Sequence, residues 1–269
     1  MRDPVQHVLP LIETAPHIAK SVLRYTLKEM MPSFHTMDPD KISSLPYAMV
    51  GQGLIDNGGG GWKADPQAQQ YFPDDLDCYL LLCASEYLLA TKDRAFLRER
   101  LPFWNSNRTQ TVLEALQRSV GFITEEIGAG KHGIMRMLSS DWDDGFGAKD
   151  LVPPSAYNVS ESVLTASLAT VALPRIAAVL EELGGDKAGA AKARRFAEAQ
   201  RRNILRHAFN GRWLRRAWLS NATGWVGDVP EKTPGIPILG YSGVFSAQVR
   251  FLTEIVDDFR QFVDEIWRF

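Results

Sequence analysis

The chain has 269 residues, of which 45% are hydrophobic and 23% charged, a composition ordinary for a soluble globular protein. Its formal net charge of −2 gives no electrostatic reason to expect nucleic acid or an anionic membrane as a partner. No stretch reaches the roughly 18 uninterrupted apolar residues of a membrane span. Asp3, Gln6 and His7 interrupt any apolar core in the first residues, unlike a signal peptide, so we expect a cytoplasmic protein.

The N-terminal half is predicted to consist of helices and one long irregular segment. Apolar residues recur at helical spacing before Pro16, which is placed to open a second helix in its first turn. Residues 32–73 contain several glycines and show no periodicity. Because about forty residues are too many for a passive connection, we expect a loop that lines a site, or a mobile lid. A third helix is predicted from Asp74 and Asp75 to Thr91, and its apolar residues on every side indicate burial all round.

The C-terminal half is predicted to be mainly helical as well. Apolar periodicity predicts helices over residues 109–127, 160–183 and 186–208, and a final helix over 244–269. The Asn-Gly pair at 210–211 predicts a turn, which a short extended piece follows. Helices buried all round alternate with one-sided helices, and this alternation indicates two concentric layers of helix. An ordinary α-helical bundle is the alternative, although it seldom needs loops this long.

The segment 130–145, GKHGIMRMLSSDWDDG, is the most informative stretch of the chain. It places three carboxylates, Asp141, Asp143 and Asp144, around the indole of Trp142, and its glycines favour a loop. Adjacent carboxylates raise one another's pKa, and a carboxyl kept protonated near neutral pH can act as a general acid. The indole offers a flat apolar face to a sugar ring. The alternatives are an acidic surface loop, or a calcium site built from Asp side chains and carbonyls.

This loop resembles the HGL…GSGDWNDG signature of the cellobiose and chitobiose phosphorylases and of the related six-hairpin glycosidases, which share an (α/α)6 toroid. Two further pieces agree in type and order. Arg2-Asp3 with Gln6 is similar to the Arg-Asp-x-x-Gln at the start of that family's catalytic domain, and the segment 75–97 is similar to its DD-x-L-W-L helix. The resemblance implies the all-α class, as an incomplete (α/α)6 toroid of helical hairpins.

The resemblance implies a single, partial catalytic domain over residues 1–269, with the loop 32–73 inside it. It fades beyond Gly224. The β-sandwich domain that normally precedes the toroid, and the later helices of a complete ring, have no counterpart in this sequence. We therefore expect a truncated or rearranged toroid.

The resemblance also implies roles for individual residues. Asp144 aligns with the last Asp of the DWND pattern, which is the family's general acid. Asp143 replaces the family's usual Asn, which raises the pKa of Asp144 further if the two side chains are close. The residues implied to contact sugar are Arg2, Asp3, Asp141 and Trp142, with Asp74, Asp75 and Asp77 at the rim of the same subsite. His132 is a candidate for substrate contact, with a structural role as the alternative.

Three kinds of activity remain open from the sequence. An inverting glycosidase needs an acid and, about 6.5–9.5 Å away, a base that activates water. In a disaccharide phosphorylase, inorganic phosphate replaces the water and is then the only small molecule required besides the sugar. Beyond Gly224, neither the general-base Glu motif of the hydrolases nor the phosphate-binding His of the phosphorylases appears. We expect an inverting, hydrolase-like enzyme acting on an oligosaccharide or disaccharide without a metal, with a phosphorylase or a carbohydrate-binding remnant as alternatives.

Overall fold

The computed structural model describes residues 2–30, 74–103, 107–138, 141–142, 159–210 and 214–227. Most of these residues are helical, and the chain is all-α with two small sheets. The helices within these ranges are α1 (Arg2–Val8), α2 (Pro16–Lys28), α3 (Leu76–Thr91), α4 (Arg94–Arg98), α5 (Val112–Gly121), α6 (Val163–Val179) and α7 (Lys187–Asn203). The strands are β1 (Arg100–Pro102), β2 (Thr109–Thr111), β3 (Glu161–Ser162), β4 (Ala217–Ser220) and β5 (Gly224–Val226).

Two helices form the inner layer, as their composition predicts. Helix α3 is buried on nearly every side and packs against α1, α2, α5 and α6. Helix α6 is buried to a similar extent and packs against α3 and α7. Helices α2, α5 and α7 each bury one apolar face and expose a polar one. This alternation of inner and outer helices is the arrangement of an α-helical toroid and confirms the predicted fold class.

The ends of several helices are set by local sequence. Helices α5, α6 and α7 each continue into a wide π-type turn, at Phe122–Ile127, Leu180–Gly184 and Ile204–Ala208. Helix α6 runs through Pro174 without a break. Its extension ends where Gly185 adopts a left-handed conformation, with φ of 73°, which glycine tolerates without steric cost.

The predicted start of the helix over 109–127 is wrong by three residues. Thr109–Thr111 pairs with Arg100–Pro102 as an antiparallel strand instead. Helix α5 begins after Thr111, whose hydroxyl accepts a hydrogen bond from the Glu114 amide at 3.1 Å, while the Glu114 carboxylate accepts one from the Thr111 amide at 2.6 Å. This reciprocal capping box stops the helix from extending toward the N-terminus.

The start of the helix over 160–183 is corrected in the same way. Glu161–Ser162 pairs with β4, which in turn pairs with β5, so that the order of this antiparallel sheet is β3-β4-β5. Helix α6 therefore begins at Val163. With its π-type turn, this helix is long and apolar enough to span a membrane, but 78% of its most apolar window is buried inside the protein, as in the core helix of a soluble protein.

Two predicted segments lie outside the described residues, namely the loop over 32–73 and the final helix over 244–269. The predicted turn at 210–211 lies partly outside them as well. The residues on either side of that turn fit it, because Phe209 and Leu214 form an antiparallel bridge. The predicted extended piece that follows is confirmed as the segment that enters β4.

Candidate functional site

Buried polar side chains gather where the two inner helices begin. Asp74 and Asp75 directly precede α3, and Ser162 is the N-cap residue of α6. Asp141 reaches the same place from the acidic loop. All four side chains are buried, with exposures of 1% or less. The start of each inner helix thus contributes polar groups to one enclosed cluster.

Asp141 is bound on both carboxylate oxygens. Arg216, which leads into β4, donates from Nη1 to Oδ2 and from Nη2 to Oδ1, each at 2.6 Å. The hydroxyl of Ser162 donates to Oδ2, also at 2.6 Å. A two-point guanidinium pair fixes both the position and the plane of a carboxylate, which a single contact does not. Asp141 is therefore locked in orientation within the protein.

A chain of hydrogen bonds continues from Asp141 to Asp74. Besides donating to Asp141, the Ser162 oxygen accepts from the backbone amide of Thr165 at 3.0 Å, which caps α6. The Thr165 hydroxyl donates to Asp74 Oδ1 at 2.8 Å. The two hydroxyl oxygens lie 3.2 Å apart. One helix cap thus connects a carboxylate of the acidic loop, Asp141, to the carboxylate of Asp74, which precedes α3.

Asp74 favours its protonated form. Burial raises the pKa of this carboxyl well above its usual value, and the nearby Asp141 and Asp75 raise it further. The hydrogen bond from Thr165 and the charge of Arg216 act in the opposite direction but are weaker. Asp74 Oδ2 is buried and has no hydrogen-bond partner among the described residues.

Asp77 faces a different part of the protein, although the sequence groups it with Asp74 and Asp75. It is 2% exposed and lies in α3 against α5. Burial raises its pKa to about 7, against the opposing effects of the Ser119 hydroxyl and the Arg118 charge. The groups that act on Asp77 thus belong to α5, and Asp141 is not among them.

A second buried carboxylate, Glu161, fixes the first turn of the acidic loop, around His132 and Ile134. Its Oε1 accepts hydrogen bonds from the backbone amides of His132 at 2.8 Å and Ile134 at 3.2 Å. Its Oε2 pairs with Nδ1 of His132 at 2.5 Å. Gly130 leaves room for this carboxylate, since a Cβ there would lie 2.7 Å from Glu161 Cγ. The turn is thus wrapped around the carboxylate of Glu161.

The His132 ring is enclosed by aromatic neighbours. Its centroid lies 4.6 Å from the Trp218 ring, 4.9 Å from the Trp225 ring and 5.5 Å from the His207 ring. Burial and the neighbouring His132 lower the pKa of His207. Every contact described for His132 is internal to the protein, in keeping with the structural alternative. Its contact with substrate stays a prediction.

The backbone is strained three residues before Asp141, at Leu138. Leu138 has a φ of 56°, in the left-handed region that a branched residue rarely adopts, and its side chain is fully buried. Such a conformation costs on the order of 1–3 kcal/mol and persists only where surrounding contacts enforce it. The path of the chain toward Asp141 is therefore imposed by packing around Leu138.

The remaining predicted site residues are described only in part. Asp143 and the predicted acid Asp144 lie outside the described residues. Trp142 is half-buried next to Asp141. Arg2 and Asp3 open helix α1, which packs against α3, but their side chains lie outside the described part of the chain.

A comparison with protein-family models shows which family the chain belongs to. The family model described as the catalytic domain of the glycosyl hydrolase 94 superfamily matches residues 1–232. The chain belongs to this superfamily. The glycosyl hydrolase 94 match includes both inner helices, the acidic loop and the three-stranded sheet, and it confirms the resemblance seen in the sequence. A search of curated proteins finds no match.

Three members of the buried polar cluster were not predicted from the sequence, namely Ser162, Thr165 and Arg216. The spacing of Ser162 before an apolar helix is a capping signal, but it gives no sign of the second hydrogen bond to Asp141. Arg215 and Arg216 interrupt an otherwise apolar extended piece, and a cation at such a position is a signal for a buried carboxylate partner, but the sequence does not show which of the two arginines has it. The identity of that partner depends on the fold.

Proposed function

We propose that the chain is an inverting carbohydrate-active enzyme of hydrolase type, in which Asp144 is the general acid. One observation carries the proposal. Asp141, three residues before Asp144, is held by two-point pairing with Arg216 inside a buried polar cluster at the start of both inner helices. A purely surface-exposed acidic loop does not require a buried two-point ion pair of this kind. Membership of the glycosyl hydrolase 94 superfamily supports carbohydrate as the substrate class.

In the proposed reaction, Asp144 transfers a proton to the glycosidic oxygen while the bond from that oxygen to the anomeric carbon breaks. A water molecule attacks the anomeric carbon from the opposite face, and a base accepts the proton that the water loses. The configuration at that carbon is therefore inverted. Proton transfer from a positioned acid contributes typically about 10²–10⁴-fold to the rate. Trp142 is proposed to offer its indole face to the sugar ring.

Phosphorolysis is the second candidate. It is favoured by the resemblance of the acidic loop to the signature of the cellobiose and chitobiose phosphorylases. The same acid would protonate the leaving oxygen, and inorganic phosphate would attack in place of water. Basic and hydroxyl groups would then hold the phosphate. A third possibility is a carbohydrate-binding remnant in which the sugar contacts persist without the attacking half of the site.

A screen of aryl glycosides and disaccharides, each with and without inorganic phosphate, separates these functions. Release of sugar without phosphate supports hydrolysis, and release only with phosphate supports phosphorolysis. Proton NMR of the first-formed product then shows whether the anomeric configuration is inverted. If no substrate releases sugar but calorimetry detects sugar binding, the proposed enzymatic function is contradicted and the carbohydrate-binding remnant is supported. The cytoplasmic location stays a prediction, which cell fractionation tests.

A further inference from the structure

Arg216 connects the acidic loop to a distant part of the chain. It lies 75 residues after Asp141 and bonds both carboxylate oxygens of that residue at 2.6 Å. The Asp141 side chain is fully buried. In such a site the paired ions are weakly screened, and the fork of the guanidinium leaves the carboxylate one orientation. The position of Asp141 therefore depends on where Arg216 is held.

The backbone of Arg216 is itself fixed by the scaffold. Its amide donates to the Val226 carbonyl at 2.9 Å, and its carbonyl accepts from the Val163 amide at 3.4 Å. Gly227 closes over it with a φ of 81°, and a Cβ at Gly227 would lie 2.8 Å from the Arg216 nitrogen. Arg216 is thus held between β5 and the first residue of the inner helix α6. Asp141 is aligned with that helix by the same contacts.

We propose that Arg216 is a positioning residue for the acid, which acts by fixing Asp141, three residues before Asp144 in the sequence. This inference rests on the proposed role of Asp144. Only Trp142 and Asp143 separate the two aspartates in the sequence, so a displacement of Asp141 is expected to displace Asp144 as well. A displacement of about 1 Å at a reacting group can cost about 10²-fold in rate. Arg216 acts through Asp141 and needs no contact with substrate.

The neighbouring Arg215 provides a matched control. Its Nη1 donates to the His207 carbonyl at 2.9 Å, and its guanidinium lies 5.4 Å from the centre of the Trp225 ring. The two arginines are adjacent in sequence, but only Arg216 bonds Asp141 among the contacts described. Lysine keeps the charge in both cases and loses the two-point fork. Arg216→Lys and Arg215→Lys therefore separate the fork on Asp141 from a general effect of arginine loss.

The experiment measures kcat and KM of both variants on two substrates of the same sugar. One is a disaccharide, whose leaving oxygen needs a proton, and the other a dinitrophenyl glycoside, whose leaving group departs without one. For Arg216→Lys we expect kcat to fall about 10–100-fold on the disaccharide and less than about 3-fold on the dinitrophenyl glycoside, with KM nearly unchanged. For Arg215→Lys we expect neither value to change by more than about 2-fold.

An equal loss on both substrates, or no loss on either, would overturn the positioning role. Asp144→Asn is measured in parallel: if it is selective for the disaccharide and Arg216→Lys is not, the inference fails while the proposed function stands. If Asp144→Asn is not selective, the proposed function itself fails. Should Arg216→Lys not fold, Ser162→Gly replaces it, because glycine serves almost as well as an N-cap and lacks the hydroxyl that binds Asp141.

Amide hydrogen exchange gives a second measurement that does not depend on turnover. In Arg216→Lys we expect faster exchange at Asp141 and Trp142, with an unchanged rate in α7. Unchanged exchange at these two amides would contradict the claim that Arg216 fixes Asp141.

Discussion

Asp141 and Glu161 are both fully buried carboxylates, and they are bound by different kinds of donor. Glu161 accepts from two backbone amides and pairs with His132, all within one turn of the chain. Asp141 accepts from the side chains of Arg216 and Ser162, which come from other elements. Backbone donors fix the path of a loop, whereas side-chain donors fix the carboxylate itself. We infer that Glu161 serves folding and that the Asp141 pair serves the reaction.

The short strand β3 explains how the two sites stay separate. Glu161 and Ser162 are consecutive residues of this strand, and successive side chains of a strand point to opposite faces. Glu161 therefore serves the turn on one side, while Ser162 serves Asp141 on the other. The two networks share a backbone but no described side-chain contact, so substitutions can address them one at a time.

The largest effect on stability is expected for Glu161→Ala. This change leaves the amides of His132 and Ile134 and the His132 ring without their acceptor, and each buried group left unsatisfied costs about 1–3 kcal/mol. Urea denaturation measures the loss. If Glu161 serves folding alone, the ratio of kcat on the disaccharide to kcat on the dinitrophenyl glycoside is expected to equal that of the parent. Both rates are measured at a temperature where the variant is folded. A loss of kcat on the disaccharide alone would show that Glu161, like Asp141, affects proton transfer to the leaving oxygen.

Gly227→Ala is expected to have a smaller effect on stability and a clear effect on turnover. A Cβ at this position meets the Arg216 backbone, and the positive φ adds strain, for a cost of about 1–3 kcal/mol. Because Arg216 must move, the loss of kcat is expected to be selective for the disaccharide. Gly130→Ala is the control: its Cβ meets Glu161 instead, so it lowers the free energy of unfolding without that selectivity. If Gly227→Ala and Gly130→Ala showed the same ratio of kcat on the two substrates, the proposed separation of the Asp141 and Glu161 roles would be contradicted.

Asp77 is a third buried carboxyl for this comparison, and no two-point pair with an arginine is described for it. Burial raises its pKa to about 7, so the folded state holds a proton that the unfolded state releases near pH 4. The contribution of this group to stability is therefore full below about pH 4 and is lost as the pH rises toward about 7. Asp77→Asn cannot titrate. Relative to the parent, its free energy of unfolding is expected to increase between pH 4.5 and pH 7.5, by about 1.4 kcal/mol per pH unit at most.

Urea denaturation of Asp77→Asn and the parent at these two pH values checks the sign. A difference in the free energy of unfolding that is constant, or that decreases as the pH rises, would show that the pKa of Asp77 is not raised in the folded protein.

The helices could be predicted because their signals are local. The apolar run of α3 and the one-sided pattern of α7 are visible within a few turns of chain, and α7 begins one residue after its predicted start, with Asp186 as its N-cap. The strand Thr109–Thr111 could not be predicted in this way, because its pairing depends on β1 across a connection. The capping signal of Thr111 and Glu114 was present in the sequence and marks the true start of α5.

The site could be predicted only as far as local motifs reach. The loop with Asp141 and Trp142 was recognised from its own residues. Arg216 was not, since its partner lies 75 residues away and only the fold brings the two together. The raised pKa of Asp74 likewise depends on burial and on Asp141, neither of which the residues around Asp74 reveal.

The most direct test of the account compares Asp144→Asn with Asp143→Asn on a disaccharide substrate. The two variants each replace one carboxyl group with an amide at adjacent residues, and the second restores the Asn of the related signature. We predict that Asp144→Asn loses about 10²–10⁴-fold in kcat while still binding the sugar, and that Asp143→Asn stays within about 10-fold of the parent. Turnover by Asp144→Asn at the parent rate would contradict the account, because the proton would then come from another group.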